Sequence, residues 1–328
     1  MDNVKRFQIL LSTYNGEQYI KEQLDSFTRL DNFDEVKVLI RDDGSSDGTR
    51  KILEAYSKEF AFEVIYGENV GLNRSLYILL QHADRSCEYF AFSDQDDVWL
   101  PDKLARAKEH LSQFDPEIPT LYSACSYLTD SELNVTGHTL IPKRISFYNA
   151  MVQNVCVGHT QVFNRKQLDF IADKYSDDIM IVDYWNYLFA SACGTVIYDK
   201  KPTTLYRQHG NNVIGYSNSF FGTLRTRFLR VKTKKSYENS KQLATFISLV
   251  GDSIPEKYKK EAIKFFKRQK NFLTRLLYCF SAKAYRQTFA ETLIFKTMYL
   301  FGRYNLKVKK SNFPSLYSLI ISSFIPLK

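Results

Sequence analysis

Four short apolar runs, at residues 7–11, 36–40, 62–66 and 89–93, alternate with stretches whose apolar residues recur at helical spacing. Ile20, Leu24 and Phe27 follow the first run, Ile52, Leu53 and Tyr56 the second, and Leu72, Leu76, Leu79 and Leu80 the third. A strand followed by a helix of ten or more residues returns to its sheet by a crossover, which makes its neighbour parallel. The pattern therefore predicts an α/β fold, a Rossmann-like, mostly parallel sheet with helices on both faces. Such a sheet delivers every strand-to-helix loop to one edge, and ligands bind outside the carboxyl ends of its strands. Here those loops are polar: 12–15, 42–47 and 94–97 each follow a strand, so the three clusters are expected to meet in one crevice.

The rest of the chain is read more coarsely. Leu104, Ala107 and Leu111 mark a further helix. Residues 120–127 read as a strand, 134–143 as a loop able to approach a substrate, and 152–163 as a strand pair containing Gly158-His159-Thr160. A helix is expected over 179–192, with Asp183 near its start, then a strand over 195–198 and a donor-rich segment over 203–212. From about residue 215 the chain reads as helical and basic, with aromatic and aliphatic residues among Lys and Arg at 220–232, 257–275 and 295–310. The net charge of +9 hides a division: residues 1–215 carry 22 Lys/Arg against 31 Asp/Glu, and residues 216–328 carry 23 against 5. Two regions are expected, 1–215 holding the crevice and 216–328 meeting something anionic.

Several classes are disfavoured. No apolar run reaches the roughly 18 residues of a spanning helix, and the nearest, 313–327, is interrupted by serines, Pro314 and Pro326. The first residues lack a signal peptide's apolar segment. Five cysteines without a CxxC pair suit reduced thiols in a cytosolic protein. Neither a P-loop nor GxGxxG is present, and no nucleic-acid motif accompanies the basic tail. Basic helices interleaved with aromatics suit an anionic membrane surface instead.

The chemistry concentrates in the acidic loop. Asp94, Asp96 and Asp97 fall within four residues, and their repulsion is offset by a hard divalent cation that also carries substrate phosphates. A carboxylate from Asp42 or Asp43 suits a pyrimidine imide or a ribose hydroxyl, while Asp47 reads as a helix cap. Trp99 and Trp185 are candidates for stacking on a sugar, and Lys103 reads as solvated.

Five motifs, STYNG at 12–16, RDDGSSDGT at 41–49, FSDQDDVWLPDKL at 92–104, VDYW at 182–185 and LYRQHGNN at 205–212, together resemble a family 2 glycosyltransferase of the GT-A fold. Within it they are most similar to the bacterial rhamnosyltransferases of surface polysaccharide (capsule or O-antigen) synthesis. The resemblance covers roughly residues 5–215. It implies inverting transfer from a nucleoside-diphosphate sugar to a hydroxyl, with Mg2+ or Mn2+ as cofactor. It places Asp43 on the nucleoside base with Ser12 beside it; Tyr14, Asn15 and Asp42 are further donor-side candidates. Asp94 and Asp96 become the pair at the diphosphate and its metal, with Asp96 in direct contact and Asp97 orienting the loop or facing the acceptor. Asp183 becomes the catalytic base; by their own chemistry Arg207 is a candidate phosphate contact and His209 a candidate metal ligand or diphosphate donor. The implied donor is dTDP-L-rhamnose, with UDP-hexoses and UDP-N-acetylhexosamines as alternatives. The implied acceptor is a lipid-linked glycan at the inner face of the cell membrane, where a cytoplasmic, peripherally associated enzyme works without nucleic acid. Against this stand a nucleotidyltransferase, for which STYNG lacks a basic residue, and a binding module with a degenerate site.

Overall fold

A computed structural model describes residues 5–179, 181–209, 235–306 and 316–317. Its front part runs β1 (Phe7–Thr13), α1 (Ile20–Thr28), β2 (Val36–Asp42), α2 (Thr49–Phe60), β3 (Glu63–Tyr66), α3 (Leu72–His82), β4 (Tyr89–Ser93), β5 (Val98–Trp99) and α4 (Lys103–Leu111). Then follow β6 (Thr120–Ala124), β7 (Tyr127–Thr129), β8 (Val135–His138), α5 (Phe147–Ala150), β9 (Val162–Asn164), α6 (Arg165–Asp173), α7 (Val182–Cys193), β10 (Thr195–Asp199) and β11 (Thr204–Arg207). Four helices close the described chain: α8 (Lys235–Val250), α9 (Glu256–Lys267), α10 (Phe272–Ser281) and α11 (Phe289–Leu300).

Seven strands form the central sheet in the order β10-β6-β9-β4-β1-β2-β3. Its pairs are parallel except where β9 enters antiparallel to both β4 and β6. The register sets Ser12 beside Arg41, Thr13 beside Asp42, and Leu11 beside Ser93, so the ends of β1, β2 and β4 lie level at one edge. Side chains alternate across that sheet as the pleat requires. Ile9 and Leu11 face one core with Ile20, Leu24, Phe27 and Leu104, while Leu10 faces the other with Leu76, Leu79 and Phe90. A smaller sheet, β5-β11-β7-β8, packs beside the acidic loop. There β11 runs antiparallel to β5, with Leu205 opposite Val98, which returns the chain past Asp96 and Asp97.

Several local expectations are corrected. Residues 120–127 split into β6 and β7, and 134–143 contains β8. The strand pair expected over 152–163 reduces to β9, because Gly158–Thr160 turns as a single 3-10 turn before it. The helix expected from 179 starts at Val182, since Ile181 is extended (φ −151°, ψ 115°). The basic stretch 257–275 breaks into α9 and α10 where Asn271 caps the second through a reciprocal bond with Thr274. The third stretch lies earlier, at α11, and 307–310 falls outside the described residues, as does all of 220–232.

The boundary at 215/216 lies outside the described residues, and the helices after it share the core of the front part. Phe246 of α8 meets Trp185 edge-on at 5.4 Å and lies 6.0 Å from Phe147. Leu243, Ile247, Phe265 and Tyr299 belong to the same buried cluster as Phe90 and Leu188.

Candidate active site

The three polar loops do meet. Gln95 joins two of them: its side-chain oxygen accepts from Thr13 Oγ1 (2.6 Å) and from the Tyr14 amide (2.9 Å). Gly16 makes that approach possible, since a Cβ there falls 2.6 Å from the same oxygen. Asn15 links the second loop, its amide donating to Ser45 Oγ (2.9 Å) and its side-chain oxygen accepting from the Ser46 amide (2.9 Å). Gly44 turns that loop at φ +84°, a conformation that favours glycine.

The acidic loop divides its carboxylates between two histidines. His209 Nε2 donates to Asp96 Oδ2 at 2.9 Å, and its ring stacks on Tyr19 at 4.9 Å. Asp94 and Asp97 face His159 instead, whose Nδ1 stands 3.7 Å from an oxygen of each. His159 is buried, bonded through Nε2 to Ser126 Oγ (3.0 Å) and packed on Tyr206 at 4.4 Å. Asp97 is buried too; Oδ1 accepts from the Arg207 amide (3.2 Å) and Oδ2 has no partner. Burial first, then the charges of Asp94 and Asp96, hold the Asp97 carboxyl well above the usual range. Burial and then Asp94 also raise Asp96, against the bond from His209.

Asp94, Asp97 and His159 each offer one ligand atom, all within 4.8 Å of one another. That donor set and the orphaned Asp97 oxygen suit a hard divalent cation. Among the described residues, then, Asp96 is bonded to His209, while Asp97 and His159 stand beside Asp94 as further donors at the same loop.

Asp183 sits in the first turn of α7, opposite this loop. Its Oδ2 accepts from the Gly158 amide (2.8 Å) and from Asn154 Nδ2 (3.2 Å), while Oδ1 is buried without a partner. Burial, and secondarily the charge of Asp94, push its carboxyl up to about 6. A carboxylate with one oxygen fixed and the other unpaired, basic near neutrality, is suited to taking a proton.

The donor-side residues are placed unevenly. Ser12 bonds Ser75 Oγ at 2.6 Å, and Tyr14 is exposed beside the Gln95 bridge. Asp42 is buried and accepts from Arg50 Nε (2.7 Å) and the Ser45 amide (3.2 Å). Asp43 is buried as well, holding the Val70 and Gly71 amides at 2.9 and 2.8 Å and paired with Arg41. Both acids therefore already shape their loops. Asp47 accepts from the Thr49 amide at 3.0 Å just ahead of α2, whose N-cap position is Gly48 instead.

Four expectations change. Arg207 is buried, donating to the Asp96 and Ser131 carbonyls, paired with Glu22 and lying 4.7 Å over Tyr19; it braces the acidic loop from within. Trp99, 2% exposed, packs edge-on against Phe27, and Trp185, 1% exposed, against Phe246, so neither ring offers a face to a sugar. Lys103 is buried rather than solvated. Its Nζ donates to the His159 carbonyl and Thr204 Oγ1, both at 2.9 Å, and lies 4.4 Å over the Trp99 ring. Burial lowers its ammonium to about 7, opposed by Asp97 and Asp94. His159, Gln95 and Asn154 were not singled out from sequence; a His inside an apolar run, between Gly and Thr, was the one available signal.

Known proteins share this chain's family and fold. The model of "Glycosyl transferase family 2" matches residues 8–171. The chain is 29% identical over 243 residues to dTDP-rhamnosyl transferase RfbG of Shigella flexneri, covering 69% of this chain and 82% of that protein. It is 26% identical over 235 residues to an uncharacterized glycosyltransferase of Haemophilus influenzae, covering 66% and 70%. Among solved structures, S. aureus TarS 1-349 in complex with UDP-GlcNAc is similar at a TM-score of 0.55 and 16% identity, covering 97% of this chain and 91% of that one. The mannosyltransferase PcManGT of Pyrobaculum calidifontis, in complex with GDP-Man and Mn2+, is similar at 0.52 and 16%, covering 97% and 87%. The fold is that of the GT-A enzymes, and this chain belongs to glycosyl transferase family 2 as a nucleotide-sugar glycosyltransferase.

Proposed function

We propose that the protein is an inverting, divalent-cation-dependent glycosyltransferase that moves L-rhamnose from dTDP-L-rhamnose to a hydroxyl of a lipid-linked bacterial surface polysaccharide. The observation that carries this reading is Asp183, with one oxygen anchored, the other buried and unpaired, and its carboxyl raised to about 6 across the crevice from Asp94. In the reaction, Asp183 Oδ1 accepts the proton of the acceptor hydroxyl as that oxygen attacks the anomeric carbon from the face opposite the leaving nucleoside diphosphate. Gly158 and Asn154 keep the carboxylate aimed during the transfer.

Asp94 and Asp96 would hold Mg2+ or Mn2+, with His209, Asp97 and His159 completing or supporting the set. When bound, the cation offsets the negative charge that gathers on the departing diphosphate. Ser12, Tyr14 and Asn15 line the donor side, and Asp43 with Arg41 fixes the loop on which the nucleoside rests. The likeness to the Shigella rhamnosyl transferase supports the donor. The charge of residues 216–328 supports work at an anionic membrane surface on the cytoplasmic side; no helix among the described residues is long and apolar enough to cross a membrane.

The test is a panel of dTDP-rhamnose, UDP-glucose, UDP-galactose, UDP-GlcNAc and GDP-mannose, with release of nucleoside diphosphate measured with Mn2+ and with chelator. Turnover at least ~10-fold faster for dTDP-rhamnose, and lost on chelation, is expected; one missing hydrogen-bonding group at a built site has effects of this size or larger. Faster turnover of a UDP sugar overturns the donor, and chelator-resistant turnover overturns the cation. Asp96→Ala should raise the Mn2+ concentration for half-maximal rate, and an unchanged requirement removes Asp96 from the metal.

A further inference from the structure

Helices α10 and α11 lie side by side and antiparallel. Cys279 contacts the Lys296 carbonyl, Tyr278 lies 4.5 Å from Tyr299, and a Cβ at Gly302 would meet Arg275. Both helices bury one stripe: Tyr278 on α10 and Tyr299 on α11 pack against Phe265 of α9, and Phe295 packs against Tyr299. The other side carries large apolar residues in the open: Leu273, Leu277 and Phe280 at helical spacing on α10, and Phe289 and Leu293 on α11. Phe280 is 83% exposed, Phe289 85%, and Phe301, just after α11, 69%. A soluble surface rarely leaves such residues together without an occupant.

The charge around this face identifies the occupant. From Lys264 to Leu306 there are nine Lys/Arg and a single acid, Glu291, which is buried in the cap of α11. The segment that bears the exposed phenylalanines is therefore strongly basic, the composition of a helix pair lying in an anionic lipid interface. Its position relative to the chemistry is also fixed. Gln287, in the loop joining α10 to α11, accepts from the Lys143 amide (2.9 Å), donates to the Arg144 carbonyl (2.7 Å) and gives its own amide to Gln153 (3.1 Å). The next residue, Asn154, holds Asp183.

We propose that the exposed face of α10 and α11 seats in an anionic bilayer, with Phe280 and Phe289 inserted, and so presents the base side of the crevice to an acceptor embedded in that bilayer. This rests on the reading that the acceptor is lipid-linked. The full chain, wild type and Phe280→Ser/Phe289→Ser, is floated with vesicles of phosphatidylglycerol and phosphatidylcholine, and with phosphatidylcholine alone. Removing two interfacial aromatics should weaken binding to the anionic vesicles at least ~10-fold. Phosphatidylcholine alone should bind neither protein tightly, and raised salt should weaken the wild type. Both side chains are exposed, so the melting temperature should not move, and nucleotide-sugar hydrolysis in solution should be unchanged. Equal vesicle binding by the double variant overturns the proposal, as does equal binding to neutral vesicles. So does a dimer by light scattering that the double variant dissolves without any vesicle effect, since a second copy would then be the occupant. If hydrolysis fails for both proteins while the vesicle difference holds, the transferase reading fails and the docking face stands.

Discussion

Replacing Asp183 by Asn tests the centre of the chemical reading. The carboxyl is raised from 3.8 to about 6, chiefly by burial, which acts whether or not a cation neutralises Asp94. Two units at about 1.4 kcal/mol each mean that holding the charge costs the native state up to ~3 kcal/mol at neutral pH. The sign is that of a raised acid: the cost is full above about 6 and relieved as pH falls toward 3.8, the reverse of a salt-bridged carboxylate. Asn removes that cost and keeps an oxygen for Gly158 and Asn154. It also sets a new amide where Oδ1 has no partner, at about 1–3 kcal/mol. The two effects nearly cancel, so the variant should fold with a stability within about 2 kcal/mol of wild type. Transfer should fall by about 10²–10⁴, the usual contribution of a positioned base, while nucleotide binding is retained. The wild-type kcat/KM, which reports the free enzyme, should carry an acid limb near 6. At pH 5 about one carboxyl in ten would be ionised, against about nine in ten for an ordinary aspartate, so the rate should drop to about a tenth of its plateau. Rates of sugar transfer and calorimetric nucleotide binding across pH 4.5–8 provide the check. Turnover in Asp183→Asn within tenfold of wild type, or a flat profile down to pH 5, refutes the assignment.

Two further outcomes follow from the packing. Asp43→Ala should cost about 3–5 kcal/mol in urea unfolding, because Arg41 stays buried without its partner; a cost under ~1 kcal/mol with nucleotide binding lost would make Asp43 a ligand residue that contributes little to the fold. Deleting residues 216–328 should give aggregated protein rather than a soluble enzyme, because it strips Phe246 and Ile247 from the cluster holding Trp185 and Phe189; a monodisperse, nucleotide-binding fragment on size exclusion would show that the front part closes its own core.

The front half was legible because its signals are local. Short apolar runs at β1 and β2, buried almost throughout, helical stripes after each, and polar loops at each strand end fix a parallel sheet with one ligand edge, and the acidic loop lies at that edge with Asp183 facing it. Features set by long-range pairing were not. Antiparallel β9 carries three residues, too short for any periodicity, and arises because Val162 and Phe163 fill the gap between β4 and β6. In the tail, Tyr278 and Phe280 stand two residues apart on one helix, one buried against Phe265 and the other exposed. Composition registers both as aromatic, and only the packing of α9 divides core from surface.

Lys103 shows why the site itself exceeded its motif. At the start of a helix after Pro101 and Asp102, a lysine reads as solvated. The pairing of β5 with β11 brings Thr204 over it, and the turn at Gly158–Thr160 adds the His159 carbonyl, closing a dry space under the acidic loop. A cation there would be costly alone, and burial does lower its ammonium to about 7. The charges of Asp97 and Asp94 oppose that lowering, and the His159 carbonyl and Thr204 hydroxyl accept from the ammonium. The same turn that supplies the His159 carbonyl to Lys103 supplies the Gly158 amide to Asp183. The buried lysine, the acidic loop and the base are therefore braced by one three-residue turn, and a shift of that turn moves the proton acceptor and the charge cluster together.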